Sequence, residues 1–227
     1  MIRLYIGNKN YSSWSMRPWV LMKEAGIGFE EVAVRFDSFA PDSAFKRTVL
    51  DVNPAGTVPV LVDGDIVVAD TLAIAEYLAE SFPEKKLWPA DKALRARARS
   101  ACAEMHAGFR AIRSHCLMNV EADLASQGRL LLRDRADVRA DLERLVQLWG
   151  GLLALHKGPL LFGDFSIADA YFAPMASRLR TYALSVPPAI ASYVEHVHTL
   201  PGVTAWSDAA RAEQDFLAFE EPYRLAR

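Results

Sequence analysis

The spacing of apolar residues changes once along the chain, and this change restricts the folds that the chain can adopt. Up to about residue 80, short runs with β-strand character alternate with stretches of helical period. Beyond a proline-bounded stretch at residues 81–89, only helical period remains. The sequence therefore predicts an α/β domain over residues 1–80, a linker over 81–90 and an all-helical domain over 91–227.

The order of elements in the first domain narrows its topology. A strand at 2–6, a helix at 15–25 and a strand at 29–34 make a β-α-β unit, and Pro18 falls in the first helical turn, where a missing N–H is tolerated. Strands at 58–62 and 66–68 then flank an Asp-Gly turn, and a helix follows at 71–80. This order predicts a thioredoxin-like fold.

Composition excludes several function classes. With 26 Lys and Arg against 28 Asp and Glu, the chain offers no electrostatic footprint for nucleic acid or an anionic membrane. No apolar run approaches the roughly 20 residues that span a bilayer, and the first residues resemble a strand rather than a signal peptide. We expect a cytoplasmic protein that acts on small molecules.

The two cysteines, Cys102 and Cys116, both fall in a helix predicted over residues 91–125. Fourteen residues at about 1.5 Å each separate them by roughly 21 Å, which is too far for a disulfide. We expect both to be buried small hydrophobic residues, in keeping with a reducing compartment.

A Val58-Pro59 pair opens the third predicted strand. If this bond is cis, the Val58 N–H and C=O face outward and can pair with an extended peptide as an added strand. An ordinary trans proline at the start of an edge strand is the alternative. Both readings remain open from the motif alone.

Two helix starts could also bind a ligand. Asp70-Thr71 opens the helix after the hairpin, where unpaired N–H groups favour a carboxylate and Asp70 could hold an amino group. The pair could equally be a plain N-cap.

The second helix start is the loop that contains Ser12 and Ser13, which precedes the first helix. A hydroxyl there could donate to a bound thiol and stabilise its thiolate, or the serines could simply cap the helix.

These three motifs occur in the order found in cytosolic glutathione transferases, and the chain resembles that family over nearly its whole length. It is similar to serine-type bacterial members with a zeta-like N-terminal motif. The helical half adds Ser166 to Asp169, which resembles the family's N-capping box. The resemblance implies glutathione as co-substrate, a small electrophilic substrate, a homodimer, and no nucleic-acid or membrane partner.

The resemblance also implies roles for individual residues. Ser12 matches the activating serine, five residues before Arg17, and Ser13 is the alternative. The expected glutathione-binding residues are Tyr11, Lys46, Val58, Pro59, Asp70 and Thr71, with Asn53 as an alternative to Lys46 for the glycyl carboxylate or for shaping the loop. The expected acceptor pocket consists of Trp14, Met105, His106, Phe109, Arg110 and Arg113.

One departure from the zeta class bears on the reaction. That class has Ser-Ser-Cys-Ser at this loop, whereas Trp14 stands here in place of the cysteine. The leading interpretation is a transferase that conjugates glutathione to a hydrophobic electrophile or reduces a peroxide. The alternatives are a maleylacetoacetate-type isomerase and a non-catalytic interaction protein of the same fold. Phosphate-loop, Cys-x-x-Cys and metal-binding motifs are missing from the sequence, so we expect no metal and no cofactor besides glutathione.

Overall fold

The computed structural model describes residues 1–224, so residues 225–227 of the predicted second domain lie outside it. The elements of the first half are β1 (Arg3–Ile6), α1 (Ser13–Glu24), β2 (Glu30–Ala33), α2 (Ala44–Leu50), β3 (Val60–Asp63), β4 (Ile66–Ala69) and α3 (Thr71–Ser81). Those of the second half are α4 (Lys92–Ala107), α5 (Arg110–His115), α6 (Ala125–Asp134), α7 (Ala136–His156), α8 (Ile167–Thr181), α9 (Pro188–Thr199) and α10 (Pro201–Glu213).

The first half forms a four-stranded sheet in the order β2-β1-β3-β4. Strand β1 runs parallel to β2 and antiparallel to β3, and β3 and β4 form the predicted hairpin. Leu4 and Ile6 of β1 are completely buried, in a core to which α1 and α3 also contribute. This mixed sheet with its helices confirms the thioredoxin-like fold class, and the strand-free second half confirms the all-helical part.

Several of the observed elements differ from the sequence prediction, among them α6 (Ala125–Asp134), which falls between the helices predicted over 91–125 and 134–156. Helix α2 was not predicted; Ser43 caps it by accepting from the Lys46 N–H at 3.1 Å. The helix predicted over 91–125 is divided, because the chain leaves α4 at Gly108 and Phe109 adopts a left-handed φ of 53°. The new helix α5 therefore begins in a different direction from α4.

The break in that helix separates the two cysteines. Cys102 lies in α4, whereas Cys116 follows the end of α5. Both are free and fully buried, and burial raises the pKa of the Cys116 thiol to about 12 and that of Cys102 further. Their expected role as buried hydrophobic residues is confirmed, but their placement in one helix is wrong.

Helix α8 occupies the centre of the second domain, and the predicted capping box fixes its start. The buried Asp169 carboxylate accepts from the backbone N–H of Ser166 at 3.0 Å and from that of Leu161 at 3.1 Å. Helix α8 packs against α1 of the first domain, where the Arg17 Nε donates to the Tyr171 carbonyl at 3.0 Å. This packing places the start of α1 beside the middle of α8.

The segment that follows α10 also packs against the first half. Leu217 belongs to a core cluster of the first half, and Asp215 forms an ion pair with Arg35. The last described residues thus cover the loop before α1. None of the described helices is both long and apolar enough to cross a membrane.

Candidate active site

A cavity of about 770 Å³ lies between the two halves, next to a smaller one of about 250 Å³. The two share Thr57, Val58, Trp14 and His106 as walls. The larger is lined by the predicted site residues Tyr11, Ser12, Ser13, Trp14, Lys46, Val58, His106, Arg110 and Arg113. The smaller adds Pro59, Asp70 and Thr71. Most of the residues singled out in the sequence therefore meet at one place.

Met105 and Phe109 are the exceptions, and their assignment to the acceptor pocket is corrected by the structure. Met105 is 1% exposed and Phe109 4% exposed, and both pack in the main hydrophobic core. The expectation assumed a continuous helix, but α4 ends at Ala107. Both apolar side chains are covered by the core instead of facing the cavity.

The two candidate serines have different surroundings. Ser12 is buried at the N-cap of α1, and its Oγ donates to the Ser15 Oγ at 2.7 Å. Ser13 is half-buried, and its Oγ accepts from the Arg178 Nη2 at 3.3 Å. Since the Ser13 oxygen is the acceptor in that bond, its own hydrogen stays available for a group in the cavity. The geometry favours Ser13 as the donor, whereas spacing alone favoured Ser12.

Arg178 is a site residue that the sequence reasoning missed. It lies on α8, lines the larger cavity and is buried, with its Nε donating to the Cys116 carbonyl at 2.8 Å. Burial lowers its pKa to about 10, so the guanidinium stays positively charged at neutral pH. No local motif marks this arginine, because its position beside Ser13 depends on the packing of α8 against α1.

Polar side chains from both halves form a chain at the smaller cavity. The Tyr171 hydroxyl lies 2.8 Å from the Thr71 Oγ1 and 2.8 Å from the His106 Nδ1. The other ring nitrogen, His106 Nε2, is 3.5 Å from the Asp70 Oδ2. His106 and Tyr171 therefore connect the second domain to the Asp-Thr pair of the first.

Asp70 is the N-cap of α3, as one of the two readings of the sequence expected. Its Oδ1 accepts from the Leu72 N–H at 2.7 Å, and its φ of 79° lies in the left-handed region. The side chain remains exposed, and its second oxygen faces His106. The cap uses only Oδ1, so Oδ2 can accept from a ligand that binds beside His106.

The loop before β3 is held by the two residues proposed for the glycyl carboxylate. The Lys46 Nζ donates to the Gly56 carbonyl at 2.7 Å, and the Asn53 Nδ2 donates to the Thr57 carbonyl at 3.1 Å. The Val58-Pro59 bond is cis, and Val58 precedes the paired section of β3. Of the two roles considered for Lys46 and Asn53, shaping this loop is the one that their bonds show.

The Tyr11 hydroxyl is directed away from the cavity. It donates to the Glu221 carboxylate at 2.8 Å and lies 3.0 Å from the Asp215 carbonyl. Burial raises the pKa of Tyr11 to about 12. Tyr11 therefore lines the cavity without offering its hydroxyl to a ligand, which leaves the serines as the hydroxyl donors of this loop.

Trp14 forms an aromatic platform at the junction of the two cavities. The Arg17 guanidinium lies 4.0 Å from the centre of its ring and that of Arg113 lies 4.8 Å from it. The ring of His106 is 5.1 Å away. Cations over the ring face hold the indole in place by cation–π attraction.

Comparison with known proteins identifies the family of this two-part architecture. Residues 11–81 match the model of the glutathione S-transferase N-terminal domain, and residues 95–209 match that of the C-terminal domain. The chain belongs to the glutathione S-transferase family. The resemblance inferred from the ordered motifs is confirmed.

Individual relatives agree with this assignment. The chain is 33% identical to glutathione S-transferase 1 of Dianthus caryophyllus over 175 residues, which are 76% of this chain and 75% of the relative. It is 29% identical to the stringent starvation protein A homolog of Coxiella burnetii, over 62% of this chain and 61% of that protein. A glutathione transferase homolog from Burkholderia gl BGR1, solved with bound glutathione, superposes with a TM-score of 0.70 at 27% identity, covering 93% of this chain and 98% of that one.

Proposed function

We propose that this glutathione S-transferase family member binds glutathione across the smaller cavity and the adjoining part of the larger one, and activates its thiol for conjugation to an electrophile or for reduction of a peroxide. The observation that carries the proposal is the Ser13 hydroxyl at the start of α1 with the buried Arg178 guanidinium 3.3 Å behind it. A hydroxyl donor, a cation and a helix N-terminus at one point are the three features that stabilise a thiolate.

The residues around the smaller cavity suit the polar ends of glutathione. The open oxygen of Asp70 would accept from the γ-glutamyl ammonium, and Thr71 would stand beside the same end. Val58, before the paired section of β3, would pair with the cysteinyl backbone. The glycyl carboxylate would then extend toward Lys46, and the sulfur toward the start of α1.

The chemistry that follows is activation of a bound nucleophile. A free thiol has a pKa near 8.5, so only a few per cent is thiolate at pH 7. Donation from the Ser13 O–H and the charge of Arg178 both favour the thiolate over the thiol, and the released proton passes to water. The thiolate then attacks an electrophile in the larger cavity.

The experiment compares Ser13→Ala, Ser12→Ala and the double variant in conjugation of glutathione to chlorodinitrobenzene, with Ser100→Ala as a control on the outer face of α4. Loss of a donor to a developing or stabilised anion costs on the order of 10²–10³ in rate. We expect a loss of about that size in kcat/KM for Ser13→Ala, a smaller loss for Ser12→Ala and none for the control. Unchanged turnover in the double variant would show that the assigned mechanism is wrong.

The match to a stringent starvation protein A homolog gives one rival a specific basis. In that case the chain would be an interaction protein of the transferase fold. Calorimetric titration separates the two, because a protein that shows no glutathione binding at millimolar concentration would support the rival. The homodimer and the division at residues 80 and 90 stay predictions, which sedimentation and limited proteolysis would check.

A further inference from the structure

The wall of the larger cavity carries an excess of positive charge. The cationic residues that line it are Lys46, Arg110, Arg113 and Arg178. Among the described lining residues, Glu220 supplies the one carboxylate. The whole chain is nearly neutral, so this local imbalance is a property of the site and not of the composition.

Two of these cations already have a structural or catalytic task. Lys46 holds the Gly56 carbonyl, and Arg178 stands behind Ser13. Arg110 and Arg113, one turn apart on α5, line the larger cavity but not the smaller one. They therefore face the side of the site where an acceptor would bind, away from the Asp70 and Thr71 that suit glutathione.

The arginines of this wall are not neutralised by carboxylates. In the part of the chain that the structure describes, none of Arg110, Arg113 and Arg178 has a carboxylate oxygen within 4.0 Å. The Arg113 Nη1 is held by the backbone carbonyls of His106 and Gly108, at 3.0 and 3.2 Å. Both carbonyls are neutral acceptors, so they fix the guanidinium in place without forming an ion pair with it.

Two acids lie near this wall, one lining the cavity and one behind α5. Burial raises the pKa of Glu220 to about 7, while the neighbouring Arg178 acts in the opposite direction. Asp141 lies behind α5, where its carboxylate accepts from the N–H groups of Ala111 and Ile112 at 2.8 and 3.1 Å. Burial lowers the pKa of Arg113 and the neighbouring Arg110 lowers it further, whereas Tyr171 and Asp141 act in the opposite direction.

A partly buried cluster of like charges attracts a small anion, and guanidinium groups bind carboxylates with paired N–H donors. Apolar and aromatic side chains also line this cavity, among them Trp14, Phe36, Phe39 and Leu117. The pocket therefore combines an anion-binding side with a surface for a flat hydrophobic body.

We propose that the electrophile accepted by this site carries a carboxylate on an aromatic or extended apolar body, with the carboxylate bound by Arg113 and Arg110 and the body against Trp14. The inference rests on the proposed function, since it names the substrate class of that site. In a substitution on an aryl chloride, the C–S bond forms, the C–Cl bond breaks with its electron pair leaving on chloride, and the thiol proton passes to water.

The test uses 4-chloro-3,5-dinitrobenzoate and its methyl ester, two electrophiles that differ in one negative charge. For each, the enzymatic kcat/KM is divided by the uncatalysed rate constant with glutathione, which removes their difference in intrinsic reactivity. We expect the carboxylate to be preferred by about tenfold at low salt, and the preference to fall as salt screens the charges.

Variants of the arginines test whether the preference for the carboxylate depends on this wall of the cavity. Arg113→Gln should lower the corrected kcat/KM of the carboxylate at least fivefold more than that of the ester, and the exposed Arg110→Gln should have a smaller effect of the same sign. Arg97→Gln, on the outer face of α4 and outside the cavity, makes the same change of charge and should alter neither substrate.

Three results would overturn the inference, and they can be told apart. Turnover of the ester with no preference for the carboxylate refutes the inference and leaves the proposed function intact. Equal losses for both substrates in Arg113→Gln show that the arginine serves glutathione or folding instead. Turnover of neither substrate by the unmodified protein refutes the inference, and it refutes the proposed function as well only if the protein also fails to conjugate glutathione to chlorodinitrobenzene and to reduce a peroxide with it.

Discussion

Replacing Arg178 with methionine removes the buried positive charge behind the Ser13 hydroxyl while keeping a long apolar side chain in its place. The Arg178 Nη2 lies 3.3 Å from the Ser13 Oγ. A hydrogen bond of about 3 Å from that oxygen to the glutathione sulfur would put the cation about 6 Å from the thiolate. The charge then acts on the thiolate through one intervening hydroxyl.

The magnitude follows from Coulomb's law. Two unit charges about 6 Å apart attract by about 2.8 kcal/mol at an effective dielectric constant of about 20 and by about 0.7 kcal/mol in bulk water. Because Arg178 is buried while the cavity opens to solvent, we take a value between these limits, about 1.5 kcal/mol. This corresponds to about one unit in the pKa of the bound thiol.

The assay is the pH dependence of kcat/KM for conjugation, measured with the unmodified protein, Arg178→Met and Arg178→Lys. Loss of the cation favours the neutral thiol, so the inflection should move up by about one pH unit in the methionine variant. Its activity should be about tenfold lower well below the inflection and approach that of the unmodified protein above it. The lysine variant keeps the charge, so its inflection should stay close to that of the unmodified protein.

Two controls test whether a shift of the inflection comes from loss of the Arg178 charge. Arg178 also bonds the Cys116 and Pro174 carbonyls, so the methionine variant will be less stable, but the position of the inflection does not depend on the fraction of active protein. Glu220→Gln tests for a contribution from Glu220, a carboxyl group of the cavity whose pKa burial raises to about 7. An inflection in Arg178→Met that coincides with that of the unmodified protein would refute the electrostatic role of Arg178.

Two further predictions concern stability. Burial raises the pKa of Asp169 from 3.8 to about 6, so the folded protein binds more protons than the unfolded chain between these pH values. Ionisation of this group should therefore lower the free energy of unfolding by about 3 kcal/mol as pH rises from about 4 to about 6. Denaturant titrations at several pH values should show this decrease in the unmodified protein and not in Asp169→Asn. In Gly128→Ala, the new Cβ would stand 1.8 Å from the Tyr182 carbonyl oxygen, so α6 must shift at a cost of about 1–3 kcal/mol. The melting temperature of Gly128→Ala should fall by roughly 3–10 °C. That of Gly150→Ala should stay unchanged or rise, because the structure leaves open space at Gly150. Equal melting temperatures for the two variants would contradict the packing argument.

Much of the architecture follows from local sequence pattern. The alternation of periods before residue 80 predicted β1, α1, β2, the hairpin of β3 and β4, and α3, because strand and helix periods reflect which side chains face the core. Ser166 and Asp169 predicted the start of α8, since a capping box satisfies the backbone within four residues. The hydroxyl loop, Val58-Pro59 and Asp70-Thr71 predicted the position of the site for the same reason: each is a short-range feature.

The remaining features of the site depend on packing between segments that are distant in the sequence. The break at Gly108 and Phe109 removed Met105 and Phe109 from the pocket, and only the course of the folded chain shows that both side chains enter the core. Arg178 lies 165 residues after Ser13, so the contact between them exists only because α8 packs against α1. Local hydrogen bonds specify where an element begins, whereas the chemistry of this cavity depends on charges that the tertiary fold brings together.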